Sequence, residues 1–331
     1  VIISEKQKKL LSILADGEFH SGTELADQVG VTRSAVWKQL SFLAEIGLRH
    51  AAVSGRGYRL EKPLELLDHA LISEFFDERS RALLASLEIH DQIPSTNSYL
   101  SELAHKGAPS GVVCFAEQQT AGKGRRGRCW VSPYGNNIYV SILWRFQQGP
   151  AAISALSLAV GVAVIRTLKQ YSVPGIGLKW PNDIYWRDKK LGGILIEVSG
   201  ENQGPCAAVI GLGLNLYLSG EEAESIDQAW TDLSKATGQS RLCRNRLAGQ
   251  LINSLFAVLD GYESAGIGAY LDEWRRYDCL MNHFAAVFVG HHRHEGIVQG
   301  IDDSGLLLLK RPDGTVQSFA SGELSFSSPL L

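Results

Sequence analysis

The sequence predicts a multidomain α+β chain: a winged helix-turn-helix at the N-terminus, a central α/β domain on a mixed sheet, and a small β-barrel at the C-terminus. Three observations predict it. The first sixty residues read as three short amphipathic helices and a basic hairpin. From about position 95 to 280, apolar helices alternate with short strands. After Asn282 the apolar period drops to two, and five short strands follow in fewer than fifty residues. With roughly 100–200 residues to a domain, the 331 residues divide as 1–62, 63–280 and 281–331.

In the first segment, Leu10, Leu11, Ile13 and Leu14 line one face of a helix over Lys6–Ala15, stopped by Asp16-Gly17. Ser21-Gly-Thr-Glu24 spells a capping box, in which Ser21 accepts from the N–H of Glu24 and Glu24 reaches back to that of Ser21. That second helix ends at Gly30. Thr32 caps a third that runs to about Ile46, with Val36, Leu40 and Leu43 on one face and Arg33, Ser34, Lys38 and Ser41 on another. Strands at His50–Val53 and Gly57–Leu60 flank Ser54-Gly-Arg56-Gly57. In such a module the third helix enters the DNA major groove and the wing meets the backbone, which points to Ser21, Arg33, Ser34, Lys38 and Arg56 as DNA-facing groups. Residues 1–62 hold nine Lys and Arg against seven Asp and Glu, so the module is +2 within a chain of −3. Modules of this shape also bind protein, and +2 is a weak discriminator.

Pro63 ends the hairpin and Glu61–His69 reads as a connector. Helices are expected at Asn97–His105, Ala155–Tyr171, Cys243–Ser264 and Ala269–Tyr277, and strands at Val112–Glu117, Ile138–Trp144, Ile176–Lys179, Gly193–Val198 and Ala207–Gly211. The barrel strands are Ala285–Val289, Gly296–Ile301, Leu306–Lys310, Thr315–Phe319 and Glu323–Ser327. His291-His-Arg-His294 reads as a solvated loop, because adjacent histidines in a turn rarely converge on a metal.

A composition of 45% hydrophobic and 20% charged residues excludes a disordered or fibrous chain. No stretch reaches the ~18 uncharged apolar residues of a membrane span; Ala151–Ile165 ends at Arg166 and reads as a buried helix. In Val1-Ile-Ile-Ser4 the charges of Lys6, Lys8 and Lys9 follow the apolar residues, the reverse of a secretory signal, so a cytoplasmic location is expected. The five cysteines (114, 129, 206, 243 and 279) are scattered and odd in number, as reduced thiols are.

The chemistry concentrates in four places. Gly122-Lys-Gly-Arg-Arg-Gly127 satisfies G-x-G-x-x-G, but Trp130-Val-Ser-Pro133 and a strand follow it rather than a helix, so it is not a dinucleotide fingerprint. It is not a phosphate-binding Walker loop either, because Gly124 stands where Ser or Thr is needed. Four cations between Lys123 and Arg128 repel one another unless an anion joins them, and the interleaved glycines open the backbone to that anion. Lys179-Trp-Pro-Asn-Asp183 reads as a turn after a strand, and Lys190-Leu-Gly-Gly193 sets an ammonium where another begins. Gly211-Leu-Gly-Leu-Asn215 closes a strand, and Ser95-Thr-Asn97, which could be no more than a cap, precedes a helix.

In this order, Ser95-Thr-Asn97, Gln119-Thr-Ala-Gly-Lys-Gly-Arg-Arg-Gly-Arg128, Lys179-Trp-Pro-Asn-Asp183, Lys190-Leu-Gly-Gly-Ile-Leu195 and Gly211-Leu-Gly-Leu-Asn215 resemble the biotin–protein ligases. With the DNA-binding module in front, the whole chain is similar to the bifunctional biotin ligases and biotin operon repressors of bacteria. The resemblance implies a class II synthetase-like sheet and an SH3-like barrel. It implies a two-step reaction: biotin and ATP give biotinyl-5′-AMP, and the biotinyl group passes to a lysine of the biotin carboxyl carrier protein of acetyl-CoA carboxylase. By similarity Ser95, Thr96, Asn97 and Gln119 take the ureido ring, while Lys123, Gly124 and Arg125 fold over the ligand. Lys190 meets the carboxylate and α-phosphate. Arg125, Arg126, Lys179, Asn182, Asn215 and Trp230 serve the nucleotide, and Mg2+ arrives with ATP near Asp183 rather than at a protein-only metal site. Asp183, Lys190 and Arg125 are the expected catalytic groups, Asp183 as acceptor of the carrier lysine's proton. The adenylate-loaded form is expected to pair as a homodimer on palindromic operator DNA.

Three positions depart from the family pattern. Lys123 and Cys129 stand where arginine and lysine are common, and Glu323-Leu-Ser-Phe-Ser327-Ser lacks an arginine that relatives place there, so no cation from the barrel is expected at the nucleotide. Two other readings stand beside this one. A biotin-sensing repressor without ligase activity would not need Lys190 and the full basic loop, and a lipoate ligase is disfavoured by that loop and the DNA-binding module.

Overall fold

The structure, a computed structural model, describes residues 3–201, 203–219 and 221–326, so Val1, Ile2 and the Ser327 end of the last expected strand lie outside it. The N-terminal module consists of α1 (Glu5–Leu14), α2 (Gly22–Val29), α3 (Arg33–Glu45) and an antiparallel hairpin of β1 (His50–Val53) and β2 (Gly57–Leu60). Ser4 and Gln7 form a reciprocal capping box on α1, spelled in the sequence by Ser4-Glu-Lys-Gln7 at the expected start of the helix. At α2 only half of the expected box exists. Ser21 accepts from Glu24 N at 3.1 Å, but the Glu24 carboxylate turns to His20 Nδ1 at 2.9 Å instead of Ser21 N–H, because a nearby imidazole competes for it. Leu10, Leu14, Leu25, Val36, Leu40 and Leu43 make the module's core, with Phe42 added. Tyr134, from the central domain, is buried in the same cluster.

The connector ends in two six-residue helices, α4 (His69–Glu74) and α5 (Glu78–Leu83), each capped by an aspartate and too short to print a periodicity on the sequence. The central domain follows as β3 (Ser86–Ile93), α6 (Thr96–His105), β4 (Val112–Gln119), β5 (Ile138–Phe146), α7 (Leu156–Lys169), β6 (Ile176–Lys179), β7 (Asp183–Trp186), β8 (Lys189–Gly200), β9 (Cys206–Leu214), α8 (Leu233–Thr237), α9 (Arg244–Ala265) and α10 (Gly268–Arg276). Strands β3 and β7 and helix α8 extend the expected set. The sheet order is β3-β4-β5-β9-β8-β7-β6, parallel between β3 and β4 and antiparallel elsewhere, so the sheet is mixed as predicted. Helices α7 and α9 cover one face and α6 part of the other. By length and composition Pro150–Lys169 could cross a bilayer, more than its interruptions foretold, but 72% of that window is buried inside the protein, which makes it the core helix expected.

The C-terminal β-domain comprises β10 (Phe284–Val289), β11 (His292–Ile301), β12 (Leu307–Lys310), β13 (Val316–Phe319) and β14 (Glu323–Phe326), antiparallel in the order β13-β12-β11-β10-β14. His292 and His294 belong to β11 rather than to a loop, because the hairpin turns tightly at Gly290-His291 and the ladder reaches Val289–His292. Val287, Val298, Leu307, Leu309 and Leu324 join the apolar cluster of the central sheet, and Trp180 Nε1 donates to Gly305 O at 3.1 Å. The β-domain is thus held against the turn that follows β6.

Candidate active site

One cavity on the α6 face of the sheet gathers twelve of the expected site residues: Ser95, Thr96 and Asn97 at the start of α6, Gln119 at the end of β4, Lys123 to Arg126 in the basic loop, Lys179, Asn182 and Asp183 around the β6–β7 turn, and Lys190 at the start of β8. The chain brings them together because β4 and β9 end and β8 begins at this edge of the sheet, and α6 begins over it.

Its polar end is a closed network. Ser95 caps α6, accepting from Ser98 N at 3.4 Å. Gln119 Oε1 accepts from Thr96 N (3.0 Å) and Thr96 Oγ1 (3.1 Å), and its Nε2 donates to Ser132 Oγ at 3.2 Å. Both amide hydrogens of Asn97 are taken, by Leu195 O at 3.2 Å and Glu197 Oε2 at 2.9 Å. Its Oδ1 lies 2.6 Å from Ser141 Oγ. Gly211 makes this possible, since a Cβ there would lie 2.1 Å from Asn97 Oδ1. Gly213 serves Trp130 likewise: a Cβ would fall 2.4 Å from the indole that lies flat on the strand. Ser141, Glu197 and Trp130 were not singled out by the motifs. Only the small residues of Gly211-Leu-Gly213 hinted that side chains must lie on that strand.

Its cationic end is built from three segments. Lys190 Nζ stands 2.9 Å from Asp183 Oδ1, both side chains about one-seventh exposed, in an ion pair not aligned as a hydrogen bond. Lys179 donates to Tyr185 Oη at 3.1 Å, and burial lowers its pKa against the pull of Asp183. Arg125 reaches across the cavity to Asn182 Oδ1 (3.0 Å) and to Gly322 O (3.3 Å). Burial first, then the Arg126 charge, lowers its pKa from the usual guanidinium value. Lys123 pairs with Glu197 at 3.3 Å, while Arg126 and Arg128 converge on Glu323. Arg126 holds a left-handed φ of 56° and Gly127 one of 75°, so the loop turns on a charged residue and the glycine after it.

Two of the expected residues lie outside its lining. Asn215 and Trp230 do not line this cavity. Asn215 is buried and donates to Thr231 O at 3.0 Å, and Trp230 lies beside Lys235, whose ammonium is 4.4 Å from its ring. Lys190 N–H donates to Ala229 O and Lys190 O accepts from Thr231 N–H, so the 229–231 segment runs alongside the start of β8. The resemblance marked Asn215 for the nucleotide, and its side-chain amide ties it to that segment. The β-domain also does more than expected, because Gly322, Glu323 and Leu324 line the cavity.

On the module, Arg33, Ser34 and Lys38 are exposed along α3. Arg33 lies across Gly22, next to the cap Ser21. Arg56, at the wing, stacks 4.0 Å over the ring of Phe19 and Arg59 4.7 Å from it.

Fold and cavity define a class: a mixed-sheet α/β domain in which a cationic loop and a lysine line one cavity, preceded by a helix-turn-helix module. Comparison with known proteins agrees. Residues 89–215 match the Biotin/lipoate A/B protein ligase family, residues 6–59 an HTH domain, and residues 292–327 the Biotin protein ligase C terminal domain. The chain is 39% identical to the bifunctional ligase/repressor BirA of Salmonella typhimurium, over 96% of this chain and 97% of that one. It is 39% identical to the bifunctional ligase/repressor BirA of Escherichia coli, over 97% of each. In fold it is similar to a biotin protein ligase from Aquifex aeolicus solved with biotin and ATP, with a TM-score of 0.61 and 23% identity over 73% of this chain and 98% of that one. The chain belongs to the bifunctional ligase/repressor family of biotin–protein ligases.

Proposed function

We propose that this chain activates biotin with ATP, transfers the biotinyl group to a lysine of the biotin carboxyl carrier protein of acetyl-CoA carboxylase, and represses the biotin biosynthesis operon in its adenylate-bound form. The observation that carries the reading is the convergence of Lys123, Arg125, Arg126, Lys179 and Lys190 on the cavity whose other end is the Thr96–Gln119–Asn97 network. A ureido ring offers donors and acceptors to such a network, whereas a dithiolane offers none, which favours biotin over lipoate.

In the first step an oxygen of the biotin carboxylate attacks the α-phosphorus of ATP, and pyrophosphate leaves with the electron pair of the broken P–O bond. Two anions must meet, and cations held in place beforehand offset their repulsion. Lys190 would bridge carboxylate and α-phosphate, Arg125 and Arg126 would take phosphate oxygens, and Lys179 with Asn182 would hold the nucleotide. Each hydrogen bond to a charged group contributes about 1.5–3 kcal/mol. In the second step the carrier lysine attacks the acyl carbon and AMP leaves, after its ammonium has lost a proton to Asp183, a carboxylate that lines the cavity. The basic loop would shield the mixed anhydride from water between the steps.

The donor set suits Mg2+ bound together with the nucleotide. Asp183 Oδ1 lacks an aligned hydrogen-bond donor and lines the cavity, and among the described residues no group of three metal-ligating side chains makes a protein-only cage. Magnesium keeps one or two carboxylates plus substrate phosphates and, when bound, stabilises the departing pyrophosphate. The residue roles, residues 1–62, 63–280 and 281–331 as working units, a cytoplasmic setting, and a homodimer on two operator half-sites belong to the same reading.

The test is incubation of the full chain with ATP, Mg2+, biotin and a carrier domain, followed by mass spectrometry of the carrier. A biotinyl mass gain on one lysine is expected. An unmodified carrier would overturn the reading, and labelling with lipoate but not biotin would reassign it.

A further inference from the structure

One large side chain on the DNA-facing helix has no part in the fold. Trp37 of α3 is 69% exposed, more than any other large apolar side chain among the described residues. Arg33, Ser34, Trp37, Lys38 and Ser41 recur at the spacing of a single helical face, and all five are exposed, while Val36, Leu40 and Leu43 fill the core behind them. Trp37 therefore sits mid-stripe, flanked by a guanidinium, an ammonium and two hydroxyls. A protein-docking aromatic is ordinarily set among apolar neighbours. This one is set among groups that complement phosphate, as are the wing guanidiniums Arg56 and Arg59 on Phe19.

Between the phosphates of a duplex lie base edges. In the major groove these edges are polar except at one group, the C5-methyl of thymine. We infer that Trp37 is a specificity-determining residue that lays its indole on thymine methyl groups in each half-site, while Arg33 and Lys38 hold the backbone on either side. The inference rests on the DNA-binding reading above and adds to it the base that is read and the residue that reads it. The contact is apolar and neutralises no phosphate, so it strengthens binding without steepening the salt dependence.

The experiment uses the full chain with biotin, ATP and Mg2+ and a random-sequence duplex library. The enriched duplex is then bound by the wild type, Trp37→Ala and Trp37→Phe, with each thymine replaced in turn by deoxyuridine. Trp37→Ala is expected to bind about 10- to 100-fold more weakly, as removal of a good base contact does, with the slope of log affinity against log salt unchanged. Removing a defined thymine methyl from each half-site should weaken the wild type and Trp37→Phe but leave Trp37→Ala unaffected. Ligation by all three should be equal. The inference is overturned if Trp37→Ala binds as tightly as the wild type, or if deoxyuridine weakens both alike. Failure of the wild type to enrich any sequence would instead remove the DNA-binding reading, and this inference with it.

Discussion

At Lys190 an ammonium stands 2.9 Å from the Asp183 carboxylate with both side chains mostly buried, so the pair is held in place before any substrate arrives. A group held this way needs little reorganisation when negative charge develops nearby, and removing one such group typically costs about 10²–10³ in rate. Lys190→Ala is accordingly expected to slow adenylation by about that factor in biotin-dependent pyrophosphate exchange, with a smaller change in biotin affinity. Arg125 does different work. Its ties to Asn182 and Gly322 draw the loop over the cavity, and Arg125→Ala removes both. Release of the adenylate is then expected to accelerate about 10- to 100-fold, measured by dissociation of labelled adenylate and by labelling of bystander amines; an unchanged release rate would show that the loop does not close the site. Both amide hydrogens of Asn97 go to Leu195 and Glu197 and its oxygen accepts from Ser141, so the side chain is fixed in place with one lone pair of Oδ1 left for a ligand.

Helix α3 divides its labour by face, and substitutions on its outer face should be silent in the ligase domain. Arg33→Ala or Lys38→Ala is expected to weaken DNA binding and to reduce the salt slope by about 0.9 for each phosphate that is no longer neutralised, with ligation unchanged. If either abolishes ligation and spares DNA binding, the division of labour between module and ligase domain is wrong. The turn before α2 carries a pH-sensitive element. Burial disfavours a charged His20 ring, but Glu24 at 2.9 Å and Asp16 at 3.0 Å outweigh it and raise its pKa above the ordinary 6.5. A raised folded pKa adds stability that is complete below the unfolded value and lost as pH climbs through the folded one. Module stability should therefore fall as pH rises above the ordinary 6.5, more steeply in the wild type than in His20→Gln. Equal pH slopes in thermal unfolding would rule this out.

Across the whole molecule, two joints tie the three parts to one site. Glu323 of β14 receives Arg126 and Arg128, and Trp180 donates into the turn at Gly305, so the β-domain and the basic loop share a boundary. Tyr134, four residues beyond Trp130, is 1% exposed inside the core of the N-terminal module. The strand-to-loop segment that shapes the cavity thus also plugs the DNA-binding unit. Truncating a buried aromatic costs about 3–5 kcal/mol. Tyr134→Ala should split thermal unfolding into two transitions, the earlier one from the module, as read by calorimetry. A single undisplaced transition would mean that the plug does not hold the two parts together.

Much of this was legible before folding. Helices α1 to α3, the wing hairpin, the long core helices and all five strands of the β-domain follow from periodicity and turn residues, because apolar spacing and backbone preference are local. The order of the motifs likewise named most of the residues that meet in the cavity. What stayed hidden depends on partners far away in the chain. The short helices α4, α5 and α8 carry too few residues to show a period, and edge strand β3 mixes Glu88, His90 and Asp91 among its apolar residues. Whether Glu24 caps its helix or binds His20, which carbonyl takes the Asn215 amide, and whether the β-domain reaches the cavity were all decided by geometry. A side chain's hydrogen bonds go to whichever groups folding brings within about 3 Å. Sequence supplies the chemistry of each group, and tertiary structure chooses its partner.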